Sequence, residues 1–188
     1  MKTIKKIVIL GPESTGKTTL CNQLAEHYQT VWAPEYAREY LLTHGMDYTY
    51  EDLLTIAKGQ LELEKAAEAR VINESQENEP LLFVDTNMYV MQVWCEFVFQ
   101  KCHTWILEQV AERPYQLYLL CNVDLPWVKD QLREYPDLES RNRLYHIYKQ
   151  ILTTQHVPWK EISGGYDKRL KTAIAAVDDF CNGQVISG

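Results

Sequence analysis

Hydrophobic positions along the chain alternate between short apolar runs and longer stretches with helical spacing. Residues 5–10 (KKIVIL) contain a β-branched run without polar alternation, which is typical of a strand buried on both faces of a parallel sheet. Apolar residues recur at helical spacing in residues 17–28, and residues 30–33 predict a second strand ended by Pro34. The pattern therefore predicts that the chain opens as a β-α-β unit.

The same alternation continues along the rest of the sequence. A long helix with a polar face is predicted over residues 50–74, and a second long helix runs from the third strand to about Glu112. Three further strands are predicted, over residues 81–85, 117–121 and 157–162. Pro158 places the last of them at or near an edge. Strands that alternate with helices in this way predict an α/β fold with a doubly wound, five-stranded parallel sheet.

Residues 126–155, between the last two strands, form a charged stretch with helical spacing. This stretch predicts a helical lid that lies outside the core. The sequence contains neither an internal repeat nor a second hydrophobic unit, and 188 residues suit one domain. We therefore expect a single domain over residues 1–188, with the lid inserted at about 126–155.

Charge and cysteine content narrow the function further. The chain carries 19 basic and 26 acidic residues, a net charge of −7, which disfavours a broad cationic face for nucleic acid or anionic lipid. No apolar stretch approaches a membrane span, and the apolar run that follows the N-terminal lysines is too short for a signal peptide. Five cysteines without a CxxC pair indicate neither a disulfide framework nor a zinc site. We expect a cytoplasmic protein with a small-molecule partner.

Residues 11–18 (GPESTGKT) match the phosphate-loop pattern GxxxxGK[ST], and they lie between a predicted strand and a predicted helix, as the motif requires. Glycines let consecutive backbone N–H groups face a phosphate at the helix N-terminus. Lys17 would reach the β and γ phosphates, and the Thr18 hydroxyl would hold Mg²⁺. The sequence thus predicts ATP and Mg²⁺ as cofactors. The candidate nucleotide-binding residues are Gly11, Glu13, Ser14, Thr15, Gly16, Lys17, Thr18 and Thr19.

A carboxylate, Asp85, closes the third predicted strand. The second group that organises magnesium in a phosphate-loop site belongs at this place, either as a direct ligand or through water. The alternative is that Asp85 only caps the helix that follows. With the phosphate loop in place we favour the metal-linked interpretation.

The phosphate loop alone is compatible with a GTPase switch, a motor ATPase or a small-molecule kinase. A GTPase should carry an N-K-x-D-type guanine reader, and residues 121–125 (CNVDL) lack its lysine. A motor ATPase normally needs a separate helical domain and a longer chain. The size of this chain and its arginine-bearing lid favour a kinase.

An acceptor site is predicted after the second strand. Glu35 would lie at the carboxyl edge of the sheet, where its carboxylate could act as the base or hydrogen-bond partner of an acceptor hydroxyl. Tyr36 and Trp32 offer flat apolar surfaces for an aromatic ring. The alternative is that these residues only open a helix with acidic residues in its first turn.

Lid arginines could neutralise charge during phosphoryl transfer, and the candidates are Arg133, Arg141 and Arg143. The alternative is surface salt bridging within a solvated helix pair. Residues 163–166 (SGGY), after the last strand, either let backbone pass close to an adenine or form a plain tight turn.

Five blocks of the sequence together resemble the ribosylnicotinamide kinase domain of the bifunctional NadR proteins, in order and in approximate spacing. They are residues 11–18, 35–39 (EYARE), 83–86 (FVDT), 127–133 (WVKDQLR) and 157–159 (VPW). The resemblance covers essentially the whole chain. It implies an ATP-dependent kinase, on a fold similar to nucleoside and nucleotide kinases, that phosphorylates the 5′-hydroxyl of nicotinamide riboside to give nicotinamide mononucleotide.

The resemblance also implies roles for individual residues. Lys17 and Thr18 would handle ATP and Mg²⁺, and Arg133 would be a lid arginine. Glu35, Tyr36 and Arg38 would face the nucleoside. Asp85 would be the metal-linked carboxylate or the base, so Glu35 and Asp85 are both candidates for the base. The expected catalytic set is therefore Lys17, Glu35, Asp85 and Arg133.

This chain departs from the NadR pattern in two respects. NadR proteins carry an adenylyltransferase domain ahead of the kinase, whereas this chain begins almost at the phosphate-loop strand, so we expect a free-standing kinase that does not itself make NAD. The lid block has Gln131 where the resemblance leads us to expect glycine. Two alternatives stay open: a kinase of another nucleoside or vitamin alcohol, and a regulatory ATP-binding protein that hydrolyses ATP slowly.

Overall fold

A parallel five-stranded sheet forms the centre of the computed structural model, which describes residues 2–112 and 114–186. The strands are β1 Lys5–Leu10, β2 Trp32–Ala33, β3 Leu81–Asp85, β4 Leu117–Cys121 and β5 Trp159–Ile162. The helices are α1 Lys17–His27, α2 Tyr36–His44, α3 Tyr50–Glu74, α4 Met88–Phe99, α5 Thr104–Glu112, α6 Leu138–Thr154 and α7 Tyr166–Cys181.

The strand order is β2-β3-β1-β4-β5, and every pair is parallel. The chain first adds strands on one side of β1 and then crosses to the other side, so the carboxyl end of β1 lies where the direction of winding reverses. Ligands of doubly wound sheets bind at such a point. The predicted α/β fold is confirmed, and the predicted edge position of the last strand is confirmed as well.

Side chains of β1 alternate between two cores. Val8 and Leu10 pack on one face of the sheet with α3, α4 and α6, whereas Ile7 and Ile9 pack on the other face with α1 and α7. All four are at most 1% exposed. Helices on both faces explain why this strand contains an unbroken apolar run.

The lid prediction needs correction, because only part of residues 126–155 is helical and that part belongs to the core. The helix α6 begins after Asp137, whose side chain accepts a hydrogen bond from the N–H of Ser140 at 2.7 Å. Four apolar or aromatic residues of α6 are buried against the sheet: Leu144, Tyr145, Tyr148 and Leu152. Positions 144/145, 148 and 152 recur every three to four residues and so mark a buried stripe, which the charged residues on the other face obscured. Residues 126–137, called the lid segment below, form an irregular stretch with turns.

Two element boundaries also differ from the sequence prediction. The helix predicted to reach Glu112 without interruption is broken into α4 and α5, because Gln100 adopts a left-handed backbone conformation with φ 56°. The strand β2 has two residues rather than four. Among the described helices, none combines the length and the apolar character needed to cross a membrane.

Candidate active site

A cavity of about 450 Å³ opens at the carboxyl edge of the sheet. Its walls come from the phosphate loop with the start of α1, from Glu35 and α2, and from the lid segment, α4, α6 and the start of α7. The phosphate loop and Glu35, the two halves of the site predicted from the sequence, therefore line the same cavity. All eight candidate nucleotide-binding residues line it.

The phosphate loop depends on two glycines with positive φ. Gly11 has φ 144°, and a Cβ there would lie 2.6 Å from the carbonyl oxygen of Cys121. Gly16 has φ 78° and precedes α1, where a Cβ would lie 3.1 Å from Leu125 and 3.4 Å from Tyr166. The first turn of α1 contains no acidic residue. Its N-terminal N–H groups and the helix dipole therefore favour an anion at this position.

Arg169 of α7 braces the phosphate loop, and sequence reasoning missed it. The side chain is 2% exposed and donates hydrogen bonds to the carbonyls of Thr15 at 3.0 Å, Asn122 at 2.9 Å and Gly164 at 2.7 Å. It also forms an ion pair with Asp124. A single arginine in an amphipathic helix gave no sign of these contacts, which join segments that are distant in the sequence.

Thr18 and Asp85 form a pair beside the phosphate loop. The Thr18 hydroxyl donates to Oδ2 of Asp85 at 2.5 Å, while the buried Oδ1 of Asp85 has no hydrogen-bond partner in the described chain. Burial, and then the charge of Glu35, raise the pKa of Asp85, and Lys17 and the Thr18 hydrogen bond oppose this shift. Mg²⁺ is commonly held by one or two protein oxygens with phosphates and waters as its remaining ligands. The Thr18 hydroxyl and the Asp85 carboxylate supply oxygens of this kind, and the unpartnered Oδ1 of Asp85 leaves a ligand position that fits such an ion.

Glu35 and Asp85 differ in access to the cavity. Glu35 is partly buried, precedes α2 and lines the cavity, whereas Asp85 is 0% exposed and is not one of the lining residues. Arg38 also lines the cavity and pairs with Asp130 of the lid segment at 2.9 Å. Glu35 and Arg38 therefore both lie on the cavity wall.

Tyr36 and Trp32 do not supply the aromatic surface that the sequence analysis expected. Tyr36 packs against Gly59 of α3 and Tyr40 of α2. Trp32, in β2, packs against the core between the sheet and helices α1 and α7, and neither residue lines the cavity. The aromatic wall instead comes from α4, α6, the lid segment and α7, through Trp94, Phe97, Tyr135, Tyr148 and Tyr166. Sequence reasoning missed this wall because aromatic residues at helical spacing look the same whether they face a core or a cavity.

The lid segment is hydrogen-bonded to the phosphate loop. The carboxylate of Glu13 accepts from the backbone N–H groups of Glu134 at 2.9 Å and Tyr135 at 3.2 Å. Burial raises the pKa of Glu13, and these two N–H groups counteract the rise. The hydroxyl of Ser14 accepts from the N–H of Val128 at 3.0 Å. The lid segment therefore covers the loop through backbone contacts.

Two of the three candidate arginines reach the site. Arg133 lines the cavity and donates to the Ser14 hydroxyl at 3.3 Å. Arg141 is 3% exposed, donates to the carbonyl of Ser14 at 3.4 Å, and has a buried Nε without a partner in the described chain. Arg143 lies outside the cavity, with its guanidinium 5.2 Å from the centre of the Phe97 ring. The difference follows from α6, on which Arg141 and Arg143 point to different faces.

Two proteins of known sequence are similar to this chain along most of its length. They are the trifunctional NAD biosynthesis/regulator proteins NadR of Salmonella typhimurium and of Escherichia coli, which are 26% and 27% identical to it over 186 residues. Each alignment covers 96% of this chain and 44% of the relative. The chain thus spans less than half the length of these relatives.

Solved structures of NadR and of thymidylate kinases are similar to this chain along most of its length. A crystal structure of NadR protein in complex with NR has 25% identity and a TM-score of 0.75, covering 98% of this chain and 51% of that one. Thymidylate kinases from Ehrlichia chaffeensis and Candida albicans share the fold at 14% identity, with TM-scores of 0.62 and 0.67, over 94% and 99% of this chain and 98% and 96% of theirs. These matches confirm the resemblance to NadR and the phosphate-loop fold. The model of the AAA_28 family, described as an AAA domain, matches residues 6–169, which is most of the chain, and the protein therefore belongs to that family.

Proposed function

We propose that this protein is an ATP-dependent kinase that transfers the γ-phosphoryl group to the 5′-hydroxyl of nicotinamide riboside, giving nicotinamide mononucleotide. The observation that carries the proposal is that the phosphate loop and the carboxylate of Glu35 line the same cavity. A nucleoside kinase needs such an arrangement, since phosphoryl donor and hydroxyl acceptor must meet in line. The similarity to NadR, including the structure in complex with NR, supports the choice of acceptor.

The donor half of the site would bind the phosphates of ATP. Backbone N–H groups of the loop and of the first turn of α1 would surround the β-phosphate, and Lys17 would reach the β and γ phosphates. In the structure Lys17 donates to the carbonyl of Pro12 at 3.0 Å, a bond that it would exchange for phosphate oxygens. Thr18 and Asp85 would hold Mg²⁺, which would offset phosphate charge when bound.

Glu35 is the carboxylate that would receive the acceptor hydroxyl. It lines the cavity, whereas Asp85 is not one of the lining residues and accepts a hydrogen bond from Thr18. Glu35 would accept the hydrogen bond of the 5′-hydroxyl and then its proton as the new P–O bond forms and the bond to ADP breaks. We therefore assign the role of base to Glu35 and the metal-linked role to Asp85.

Arginines would stabilise the charge on the transferring group. Arg133 lines the cavity and the buried guanidinium of Arg141 lies against Ser14. Positive groups placed in advance where negative charge spreads in the transition state lower the barrier without reorganisation at the moment of transfer. The lid segment would at the same time exclude water, so that the phosphoryl group passes to the alcohol and not to water.

The aromatic wall suits a cationic ring. Trp94, Phe97 and Tyr148 line the cavity, and the faces of such rings attract a positively charged heterocycle. Nicotinamide riboside carries a pyridinium cation, whereas ordinary nucleosides carry neutral bases, so the wall would favour the former.

All five cysteines are free, which fits the reducing cytoplasm, where we place the reaction.

Acceptor-dependent release of ADP tests the proposal. Purified protein would be given Mg·ATP alone and with nicotinamide riboside, adenosine, uridine or thiamine, with Lys17→Ala as the control variant. We expect nicotinamide riboside to stimulate ADP release strongly and Lys17→Ala to abolish the stimulation. Stimulation only by another compound would retain the kinase but replace its acceptor. Tight ATP binding without stimulation by any acceptor would contradict the proposal and favour a regulatory ATP-binding protein.

A further inference from the structure

The backbone that carries Glu35 leaves the sheet where the strand ladder stops. Ala33 of β2 pairs with Val84 of β3, and the next residue is Pro34. Proline has no N–H group with which to extend the ladder. Since β2 has only two residues, the Glu35 backbone needs another partner to hold it beside the end of β3.

The side chain of Gln60, on α3, is that partner. It is 1% exposed, and its Oε1 accepts a hydrogen bond from the N–H of Tyr36 at 2.8 Å. Its Nε2 donates to the carbonyl of Pro34 at 3.1 Å and to the carbonyl of Asp85 at 3.4 Å. A carboxamide has one acceptor oxygen and two donor hydrogens, and all three functions are used here. Gln60 thus replaces a peptide group of the ladder and joins the residues on both sides of Glu35 to Asp85.

Gly59, the residue before Gln60, gives space to the same segment. A Cβ at Gly59 would lie 2.1 Å from Cε1 and 2.3 Å from Cδ1 of the Tyr36 ring. Glycine inside a helix is destabilising relative to alanine, so a glycine within the 25-residue α3 requires an explanation. Seating of the Tyr36 ring supplies it. Gly59 and Gln60 together form a socket on α3 for residues 34–36.

We propose that Gln60, supported by Gly59, is a positioning residue that fixes Glu35 relative to Asp85 and so aligns the acceptor hydroxyl with the phosphoryl group. The inference rests on the proposed function and extends it to residues outside the cavity wall. Neither Gly59 nor Gln60 lines the cavity, so both act through the segment that they hold. A displacement of about 1 Å in a reacting group can cost on the order of 10²-fold in rate, so a small shift of the socket would lower turnover strongly.

Gln60→Met tests the role of the carboxamide, because methionine keeps the length and the unbranched shape of glutamine but removes its hydrogen bonds. We expect kcat/KM for the acceptor to fall about 10- to 100-fold, while KM for ATP changes less than about twofold. A matched control is Glu64→Gln, one turn further along α3. Glu64 is 0% exposed and bonds with Lys6 at 3.0 Å and Tyr115 at 2.8 Å, of which Lys6 lies near the start of β1.

The control separates positioning from loss of stability. Glu64→Gln should lower the free energy of unfolding at least as much as Gln60→Met and leave acceptor kcat/KM close to the wild-type value. Wild-type kinetics in Gln60→Met, or equal kinetic losses in both variants, would overturn the inference. Should Gln60→Met fail to fold, Gly59→Ala provides the second test. Its kinetic loss should shrink when Tyr36→Ala removes the ring that the new methyl group meets, and an undiminished loss would count against the socket.

Amide hydrogen exchange at Tyr36 gives a readout that does not depend on activity. In the folded wild type this N–H should exchange slowly, and in Gln60→Met at least about tenfold faster, with the amides of β1 unchanged. Equal protection in the two proteins would overturn the inference whatever the activity. Lack of acceptor-dependent turnover in the wild type would contradict the proposed function instead, so the two failures are distinguishable.

Discussion

The hydroxyl of Thr18 donates a hydrogen bond of 2.5 Å to Oδ2 of Asp85 and so joins the first turn of α1 to the end of β3. The hydrogen bond thus holds Asp85, one of the two carboxylates of the site, next to the phosphate loop. Glu35, the other carboxylate, lines the cavity. Two carboxylates in different surroundings can take different roles, and the predictions below separate them.

Glu35→Gln keeps the size of the side chain but removes the base. At saturating ATP we expect kcat to fall by about 10²- to 10⁴-fold, which is the range of general base catalysis. The affinity for ATP should stay near the wild-type value, because Glu35 belongs to the acceptor side. Steady-state kinetics with nicotinamide riboside and a binding titration with ATP would measure both. Near-normal turnover would remove Glu35 from the mechanism.

Asp85→Asn should act through magnesium. The amide still accepts from Thr18 but has no charge, so we expect the Mg²⁺ concentration needed for half-maximal activity to rise by at least about tenfold. Activity should recover in part at high Mg²⁺, which Glu35→Gln should not do. A magnesium titration of turnover in both variants checks this contrast. The same magnesium dependence in Asp85→Asn and in the wild type would contradict the metal-linked role.

The arginines allow a matched comparison. Arg133 lines the cavity, whereas Arg143 lies over Phe97 outside it. Arg133→Ala should lower kcat by on the order of 10³-fold, the lower range for an arginine that stabilises charge in phosphoryl transfer. Arg143→Ala should retain wild-type turnover. Equal losses of activity in the two variants would show that a position on the cavity wall does not determine which arginine stabilises the transferring phosphoryl group.

Arg169 should matter for stability and for the phosphate loop. Arg169→Met leaves buried carbonyls without donors, so the free energy of unfolding should fall by about 2–3 kcal/mol. ATP affinity should fall as well, because Thr15 loses its brace. Denaturant unfolding and ATP titration measure the two effects. A control is Arg70→Met, whose exposed pair with Glu74 should change stability by less than about 0.5 kcal/mol. Equal effects of the two substitutions would refute the bracing role.

Asp52 predicts a pH dependence of stability. A hydrogen bond from Tyr40, at 2.5 Å, and hydrogen bonds from Thr49 lower the pKa of Asp52 to about 2. Because the folded state binds this proton less readily than the unfolded state, the contribution to stability is present above the ordinary carboxyl pKa and is lost as the pH falls towards the lowered pKa.

Thermal unfolding of the wild type and of Asp52→Asn would measure this contribution. Tm should be higher in the wild type at about pH 5, and the difference should shrink as the pH falls to about 2. A difference that is independent of pH would show that the charge of Asp52 is not what stabilises the junction of α2 and α3.

The sequence predicted the sheet and the phosphate loop because both follow from local patterns. Residues 5–10 carry the apolar run of a central strand, and the GxxxxGK[ST] spacing needs no tertiary information. The placement of Glu35 at the cavity also followed, since the carboxyl ends of parallel strands share one edge.

Other parts of the site depend on contacts between distant segments. Arg169 and Gln60 act on backbone carbonyls more than twenty residues away, and carbonyls leave no pattern in the sequence. The choice between Tyr36 and Trp94 as cavity aromatics depends on which helix face is uncovered. That choice is decided by packing of α2 on α3, which periodicity alone does not reveal.

The identity of the phosphorylated product distinguishes a nicotinamide riboside kinase from an ATPase. Wild-type protein would be incubated with Mg·ATP and nicotinamide riboside, and the products followed by ³¹P NMR. We expect a new phosphomonoester signal that matches added nicotinamide mononucleotide and grows in equal amount with ADP. ADP accompanied only by inorganic phosphate would rule out the proposed kinase, since the protein would then pass the phosphoryl group to water.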